Sequence, residues 1–493
     1  MPPLLSKSKY LYGIQCPKLL WMSIHEPEKF PEVDEVTQHR FDEGHLVGEM
    51  AKKVYPKGID IDAKDFKENI KKSKELLSER KPLFEAAFMN DKIYARADIL
   101  FPVNQKEWDV IEVKSSTQPK ELHIHDLAFQ KYCYEHAGLK INKCFLMHIN
   151  GKYVRQGGIN PNELFIIQDV DELVNELSKD IKENIKLMLD IMSAEKMPGG
   201  KICDECTGPK NCPLPEECWD FLPKNNVFNL YRAGERSIEL FKSGILSLKD
   251  IPISYNLSAN QHIQKRCEET GKPYIDKKHI KSFIDSLEFP LYFLDFETYS
   301  TAIPLYDGLS PYQQIPFQFS LHISHSLDAE PKHYSFLAEG DKDPRIDFLS
   351  ALKKDTGHMG SVIVYNQAFE KRIMNELNRD FPENNKWISS FTDRFVDLLT
   401  PFQKFHYYDS KQEGSASLKK VLPALTGRSY IDMEIASGDS ASLQYLYITH
   451  GANYGSNTTK KEIAKIRQNL EKYCGLDTEG MVDILKILNL VVI

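Results

Sequence analysis

Apolar positions recur with two different periods along the 493-residue chain, and the changes between them mark its elements. A helical period runs from Ser6 to about Ile24, through Cys16, and again from Glu35 through Lys53. Residues 67–81, KENIKKSKELLSERK, predict a charged helix with a solvated face, or a face that meets nucleic acid. LFEAAFM, KIYARADILF and WDVIEVKSS then read as strands, the first two joined by an Asn90-Asp91 turn. A helix through DLAFQKYCYEHAG, a strand KCFLMHI and a helix over about 171–193 follow. A tract rich in Cys, Pro and Gly comes next, without regular structure, then short helices with polar joints over 222–287. From Pro290 the pattern changes again. LYFLDFET predicts a buried strand, QFSLHIS and KHYSFLAE a hairpin pair, RIDFLSALKK a helix and SVIVYN a further strand. AFEKRIMNELNRDF and RQNLEKYCGLDTEGMVDILKIL predict the last helices. The order predicts a multi-domain α/β chain: 1–221, a helical connector over 222–287, and 288–493.

Composition adds limits. With 41% hydrophobic and 27% charged residues the chain is of ordinary globular type. It has no apolar run of about 18 residues, so no membrane span is expected. The opening MPPLLSKSKYLYGIQC lacks the apolar core of a secretory signal, which predicts a cytoplasmic protein. A net charge of -8 argues against a passive nucleic-acid coat but not against an enzyme whose metal site is acidic. Four of the nine cysteines, Cys203, Cys206, Cys212 and Cys218, share one short tract, and in a reducing compartment such clustering points to metal.

The chemistry of the N-terminal half centres on Asp98 in one strand and Glu112-Val113-Lys114 in the next. Two carboxylates at adjacent strand ends can hold Mg²⁺ or Mn²⁺, which take oxygen ligands. Lys114, two residues after Glu112, shares its strand face and can position water or offset phosphate charge. An isolated Glu-x-Lys also occurs on solvated strand faces. His45 on an earlier helix can complete a metal shell or be structural, and Glu85 is a further acid near Asp98 or a solvated one. Gln130 and Tyr134, one helical turn apart, can hold a scissile strand, although Tyr134 also suits a core.

In this order, His45, Asp98, Glu112 with Lys114, then Gln130 and Tyr134 resemble the RecB-like nucleases of the PD-(D/E)xK superfamily. The resemblance implies a restriction-endonuclease-like core, with His45, Asp98 and Glu112 as metal ligands and Lys114, Gln130 and Tyr134 as catalytic residues. In the iron–sulfur branch of that family one cysteine precedes the core and three follow it, and they hold a 4Fe–4S cluster. Here Cys16 stands in front, and Cys206, Cys212 and Cys218 behind, with Cys203 as an alternative ligand. A structural Zn²⁺ on the same thiolates is the competing reading.

In the C-terminal half, Asp295 and Glu297 lie on one face of a buried strand, where two acids are costly without a cation. Glu370 follows in NQAFE, and Tyr473 and Asp477 lie four apart on a helix. These three motifs resemble the DEDD exonucleases of RNase H-like fold. The resemblance implies two Mg²⁺ or Mn²⁺ ions on Asp295, Glu297, Glu370 and Asp477, with Tyr473 orienting water. Glu370 departs from the usual Asp. Asp397 can assist or cap a helix, and Ser417-Leu418-Lys419 can meet a phosphate or start a helix. Together the halves are similar to a prokaryotic family that fuses an iron–sulfur RecB-like nuclease to a 3′–5′ exonuclease-type domain. Both resemblances imply a metal-dependent nuclease with nucleic acid as partner, DNA before RNA. The alternatives are an RNA substrate and a C-terminal domain that is an inactive nucleic-acid clamp.

Overall fold

The computed structural model describes residues 4–199, 202, 206, 208–454 and 458–493. It is a mixed α/β protein of two compact units. The first comprises residues 1–220 and the segment Thr301–Gln313, and the second Phe221–Ser300 and Gln314–Ile493. The sequence reading therefore changes in two places. Residues 222–287, expected as a separate connector, fall within the second unit, and 301–313, expected in the C-terminal domain, fall within the first.

The strands of the first unit are β1 (Leu5–Ser6), β2 (Ile59–Asp60), β3 (Leu83–Asn90), β4 (Ile93–Pro102), β5 (Glu107–Lys114), β6 (Lys140–Ile149) and β7 (Phe165–Asp169). They form one sheet in the order β2-β3-β4-β5-β6-β7, with β1 beside β4. β3, β4 and β5 are a meander of antiparallel strands, whereas β5 and β6 are parallel. Parallel neighbours need a crossover, and the helix Glu121–His136 supplies it. That helix packs against β3, β4 and β6, and beneath it Phe88, Phe129, Tyr10 and Tyr134 join one buried cluster. The sheet also meets the helix Glu35–Lys52, where Val47 and Ala51 pack with Ile99, Ile111 and Met147.

The expected helix over 6–24 is two helices, Lys7–Gln15 and Pro17–His25. Pro17 lacks the N–H that would continue the first, and Cys16 between them is extended, with φ -168° and ψ 125°. Residues 171–193 likewise form two helices, Asp171–Leu177 and Ile181–Ser193. Two of the four lysines of the charged helix Phe66–Leu76 pair within it: Lys72 lies 3.0 Å from Glu68 and Lys71 lies 3.9 Å from Glu75.

The Thr301–Gln313 strap is held on the first unit by backbone and side chains together. Arg155 N–H donates to Leu309 O (3.0 Å) and Gly308 N–H to Arg155 O (2.8 Å). The Tyr312 hydroxyl donates to Ser115 O, and the Glu43 carboxylate accepts from Ala302 N–H at 2.7 Å. Ala302, Ile303 and Tyr312 pack on the cluster around Val47, Ile111 and Ile149.

In the second unit the strands are β8 (Tyr274–Ile275), β9 (Leu291–Tyr299), β10 (Ile315–Ser324), β11 (Lys332–Leu337), β12 (Val362–Val364), β13 (Phe395–Asp397) and β14 (Tyr407–Tyr408). Five of them form a sheet in the order β11-β10-β9-β12-β13, antiparallel through β11, β10 and β9 and parallel through β9, β12 and β13. β8 and β14 pair separately. The 31-residue helix Lys460–Leu490 packs on β9 and β10, and Arg345–Asp355 packs on β10 and β11. Phe296, Phe319, Phe348 and Ile373 lie in the core of this sheet. Among the described residues no helix is long and apolar enough to cross a membrane.

Candidate functional site

β4 and β5 are antiparallel, with Ile99 opposite Ile111, which brings Asp98 and Glu112 to the same end of neighbouring strands. Asp98 accepts from Val113 N–H at 2.7 Å, so its carboxylate is fixed across the strand pair. Glu112 is 1% exposed and is held on both oxygens. Oε1 accepts from Lys114 Nζ (2.6 Å) and Lys7 Nζ (2.7 Å), and Oε2 from Gln130 Nε2 (2.6 Å). Asp126, from the crossover helix, accepts from Lys114 (2.8 Å) and Gln130 (2.9 Å) and lies 3.6 Å from Lys7. Tyr134 OH donates to Gln130 Oε1 at 2.9 Å, which fixes the Gln130 amide with its NH₂ toward the acids.

Burial and the adjacent Glu112 carboxylate raise Asp98 to about 7. For Glu112 burial works the same way, but the Lys114 and Lys7 ammoniums outweigh it and hold the carboxyl well below its ordinary range. Burial and Glu112 raise Asp126. The result is one strongly ionised acid beside two reluctant ones, a charge distribution that a cation would relieve.

A cleft of about 460 Å³ opens over Asp98 and Glu112, lined also by Lys7, His45, Glu85 and Arg96. His45 is exposed on its wall, and Glu85 pairs with Arg96 at 2.8 Å. Lys114, Gln130 and Tyr134 are not among the residues that line this cleft: Lys114 is part-buried against Glu112 and Asp126, and Gln130 and Tyr134, each 0% exposed, orient Glu112 from beneath where a grip on a strand was expected. Two members of this constellation, Lys7 and Asp126, were not predicted. Each is a single charged residue on a helix, without a spacing that sets it apart.

Cys16, Cys206, Cys212 and Cys218 line one pocket of about 260 Å³, together with Leu19, Met22 and Leu214. Cys16 reaches it from the break between the first two helices, and Cys218 from the short helix Pro215–Trp219. Burial and the neighbouring Cys218 and Cys16 raise the Cys212 thiol. These four positions could hold a cluster or a metal ion through their thiolates. Cys203, the alternative ligand, lies outside the described residues.

In the second unit, ligand atoms of Asp295, Glu297 and Cys474 lie within 4.8 Å of one another, a grouping that could hold a metal ion. Asp295 and Glu297 project from β9, and Cys474 and Asp477 from the helix Lys460–Leu490. Burial raises all three carboxyls, and Asp295 and Glu297 are raised further by Asp477 nearby. Asp477 reaches about 6, where Tyr430 OH, donating at 2.5 Å, limits the rise. Tyr473 is raised by burial and by Asp477, and its ring lies 6.1 Å from that of Tyr430. Lys419, exposed, sets its ammonium 5.3 Å from the Tyr473 ring and 5.7 Å from that of Tyr430.

Glu370 stands in the first turn of the helix Gln367–Asp380, and its buried Oε2 has no hydrogen-bond partner among the described residues. Burial and Asp295 push its carboxyl well above the ordinary range. Asp397 anchors that helix by accepting from Asn366 N–H (2.9 Å) and Gln367 N–H (3.1 Å), which identifies it as a cap. The cap holds Asn366 in a left-handed conformation, with φ 77°, and so aims the first turn. Ser417 occupies the start of Leu418–Thr426, but its side chain makes no cap bond. Tyr430 and Cys474 escaped the sequence reading: neither forms part of a spaced motif.

A family model described as a domain of unknown function (DUF2779) matches residues 292–417, the stretch that carries Asp295, Glu297 and Glu370. The chain is also similar to a Mycoplasma pneumoniae protein described as "Uncharacterized protein MG366 homolog", with 25% identity over 234 residues. That similarity covers 42% of this chain and 34% of the relative, so the chain spans about a third of the length of the protein it matches.

Proposed function

We propose that this protein is a divalent-cation-dependent nuclease that hydrolyses phosphodiester bonds of DNA at Asp98, Glu112 and Lys114, on a restriction-endonuclease-like core of the PD-(D/E)xK kind. The observation that carries the reading is the convergence of these residues, with Gln130, beneath one cleft. The residues fit Mg²⁺ or Mn²⁺: two carboxylates at adjacent strand ends, one of them raised by its like-charged neighbour. A cation bound by Asp98 and Glu112, with His45 on the cleft wall, would supply Lewis-acid stabilisation of the charge developing on the phosphate.

The chain's own residues do the rest. Tyr134 locks Gln130, and Gln130 holds Glu112 Oε2, so that the buried carboxylate keeps one orientation. Glu112 and Asp126 together restrain the Lys114 ammonium. From there Lys114 orients the attacking water and offsets phosphate charge. The four thiols, brought from sequence positions far apart to one pocket, fit a 4Fe–4S cluster with a structural role. Zn²⁺ is the alternative occupant of the same four thiolates.

The second unit fits an RNase H-like domain with a second cation site at Asp295, Glu297, Glu370 and Asp477. Its support is the crowding of raised carboxyls around Asp295. A nucleic-acid clamp is the competing reading, favoured by the extra methylene of Glu370. Labelled DNA and RNA, incubated with Mg²⁺, Mn²⁺ or EDTA, separate these cases in Lys114→Ala, Asp295→Ala and the double variant. Loss of DNA cleavage in Lys114→Ala supports the main reading. Undiminished cleavage in the double variant rejects both sites, and cleavage of RNA alone rejects the substrate assignment.

A further inference from the structure

We infer that Lys7 is a built-in cation of the first site and limits it to one divalent ion. This rests on the reading of Asp98 and Glu112 as metal ligands. Lys7 is the first residue of the helix Lys7–Gln15, and its ammonium reaches the acid cluster from a point 105 residues ahead of Glu112. It lies 2.7 Å from Glu112 Oε1 and 3.6 Å from Asp126 Oδ2. Lys114 bridges the same two oxygens at 2.6 and 2.8 Å. The two carboxylates therefore share two ammoniums, which occupy the space between Glu112 Oε1 and Asp126 Oδ2.

The charge balance points the same way. Asp98, Glu112 and Asp126 supply at most three negative charges against the two positive charges of Lys7 and Lys114. The other charges on the cleft wall are paired among themselves, Glu85 with Arg96 at 2.8 Å and Glu49 with Lys52 at 2.6 Å. One divalent ion already turns the buried cluster net positive, and a second would meet repulsion in a low-dielectric setting. Without Lys7 the cluster is one charge more negative, and Lys114 alone is left to neutralise Glu112 Oε1 and Asp126 Oδ2.

The test is Mn²⁺ binding followed by electron paramagnetic resonance, in the full chain with Asp295→Asn and Asp477→Asn removing the second site. One Mn²⁺ per chain is expected, lost on Glu112→Gln. Lys7→Gln is expected to bind at least tenfold more tightly, or to take up a second ion, and Lys7→Arg to restore the original behaviour. Two ions in the protein with Lys7 intact would overturn the inference whether or not Lys7→Gln folds. So would unchanged binding in a folded Lys7→Gln. If Glu112→Gln leaves Mn²⁺ binding untouched, the metal-site reading itself fails and the role of Lys7 with it.

Discussion

Lys7 and Cys16 stand at the two ends of one nine-residue helix, Lys7 against the Glu112 carboxylate and Cys16 at the pocket of four thiols. Such a helix spans about 13 Å and transmits position along its axis. Loosening Cys16 should therefore disturb the acid cluster at the other end. Cys16→Ser is expected to remove visible absorbance and iron, and to lower first-site DNA cleavage by roughly tenfold or more. Cleavage that depends on Asp295 should persist. Full first-site activity in an iron-free Cys16→Ser protein would confine the thiol pocket to local stability.

Lys114 is held by two carboxylates, and in the proposed reaction it orients water and offsets phosphate charge. Lys114→Ala, measured in an Asp295→Ala background, is expected to lower the cleavage rate by roughly a hundredfold or more. Gln130→Ala should lower it less, since Gln130 acts through the orientation of Glu112. A Gln130→Ala loss as large as that of Lys114→Ala would place Gln130 nearer the reacting atoms.

His322 gives the second unit an acid-sensitive point. Burial and the stacked His333 ring, 4.4 Å away, lower its imidazole to about 4, against an ordinary value of 6.5. Its Nδ1 meets Thr478 Oγ1 at 2.8 Å, and Glu479 and Arg428 act on it with opposite signs. Between those two values the unfolded chain takes up a proton that the folded one refuses. The contribution of His322 is therefore constant above pH 6.5, falls as pH drops toward 4, and levels off below it. A loss of about 1–2 kcal/mol is expected across that window. Urea unfolding as a function of pH measures it, and His322→Gln should flatten the acid limb.

Glu370 costs the cation-free fold stability, because its buried Oε2 has no partner and Asp295 repels it. Glu370→Gln is expected to raise stability in EDTA by about 1 kcal/mol and to abolish Asp295-dependent cleavage. Thermal unfolding and exonuclease assays in a Lys114→Ala background check the two halves. Retained Asp295-dependent cleavage would remove Glu370 from the ligand set and favour a different acid as its replacement.

Much of both sites was legible because their motifs obey local periodicities. Asp98 and Glu112-x-Lys114 sit on adjacent predicted strands, and Asp295 with Glu297 obeys the two-residue period of β9. Lys7, Asp126 and Tyr430 were not legible, since each meets its partner from a different element and carries no spacing of its own. The short strands Phe165–Asp169 and Phe395–Asp397 escaped for want of enough residues to show alternation. Gly438–His450 was missed because its GDSAS start offers little apolar period. Pro17 was a readable break, and reading through it merged two helices.

The strap at Thr301–Gln313 has a consequence for how such a protein can be inherited in pieces. Because it comes after the strand of Asp295 and Glu297 yet belongs to the first unit, the units are interleaved along the chain. A gene fragment ending at Asp220 would encode a first unit missing part of its own body. It would leave the Glu43 carboxylate without the Ala302 N–H, and the cluster of Val47, Ile111 and Ile149 without Ala302, Ile303 and Tyr312. Shuffling between relatives would thus preserve both halves together or replace them together.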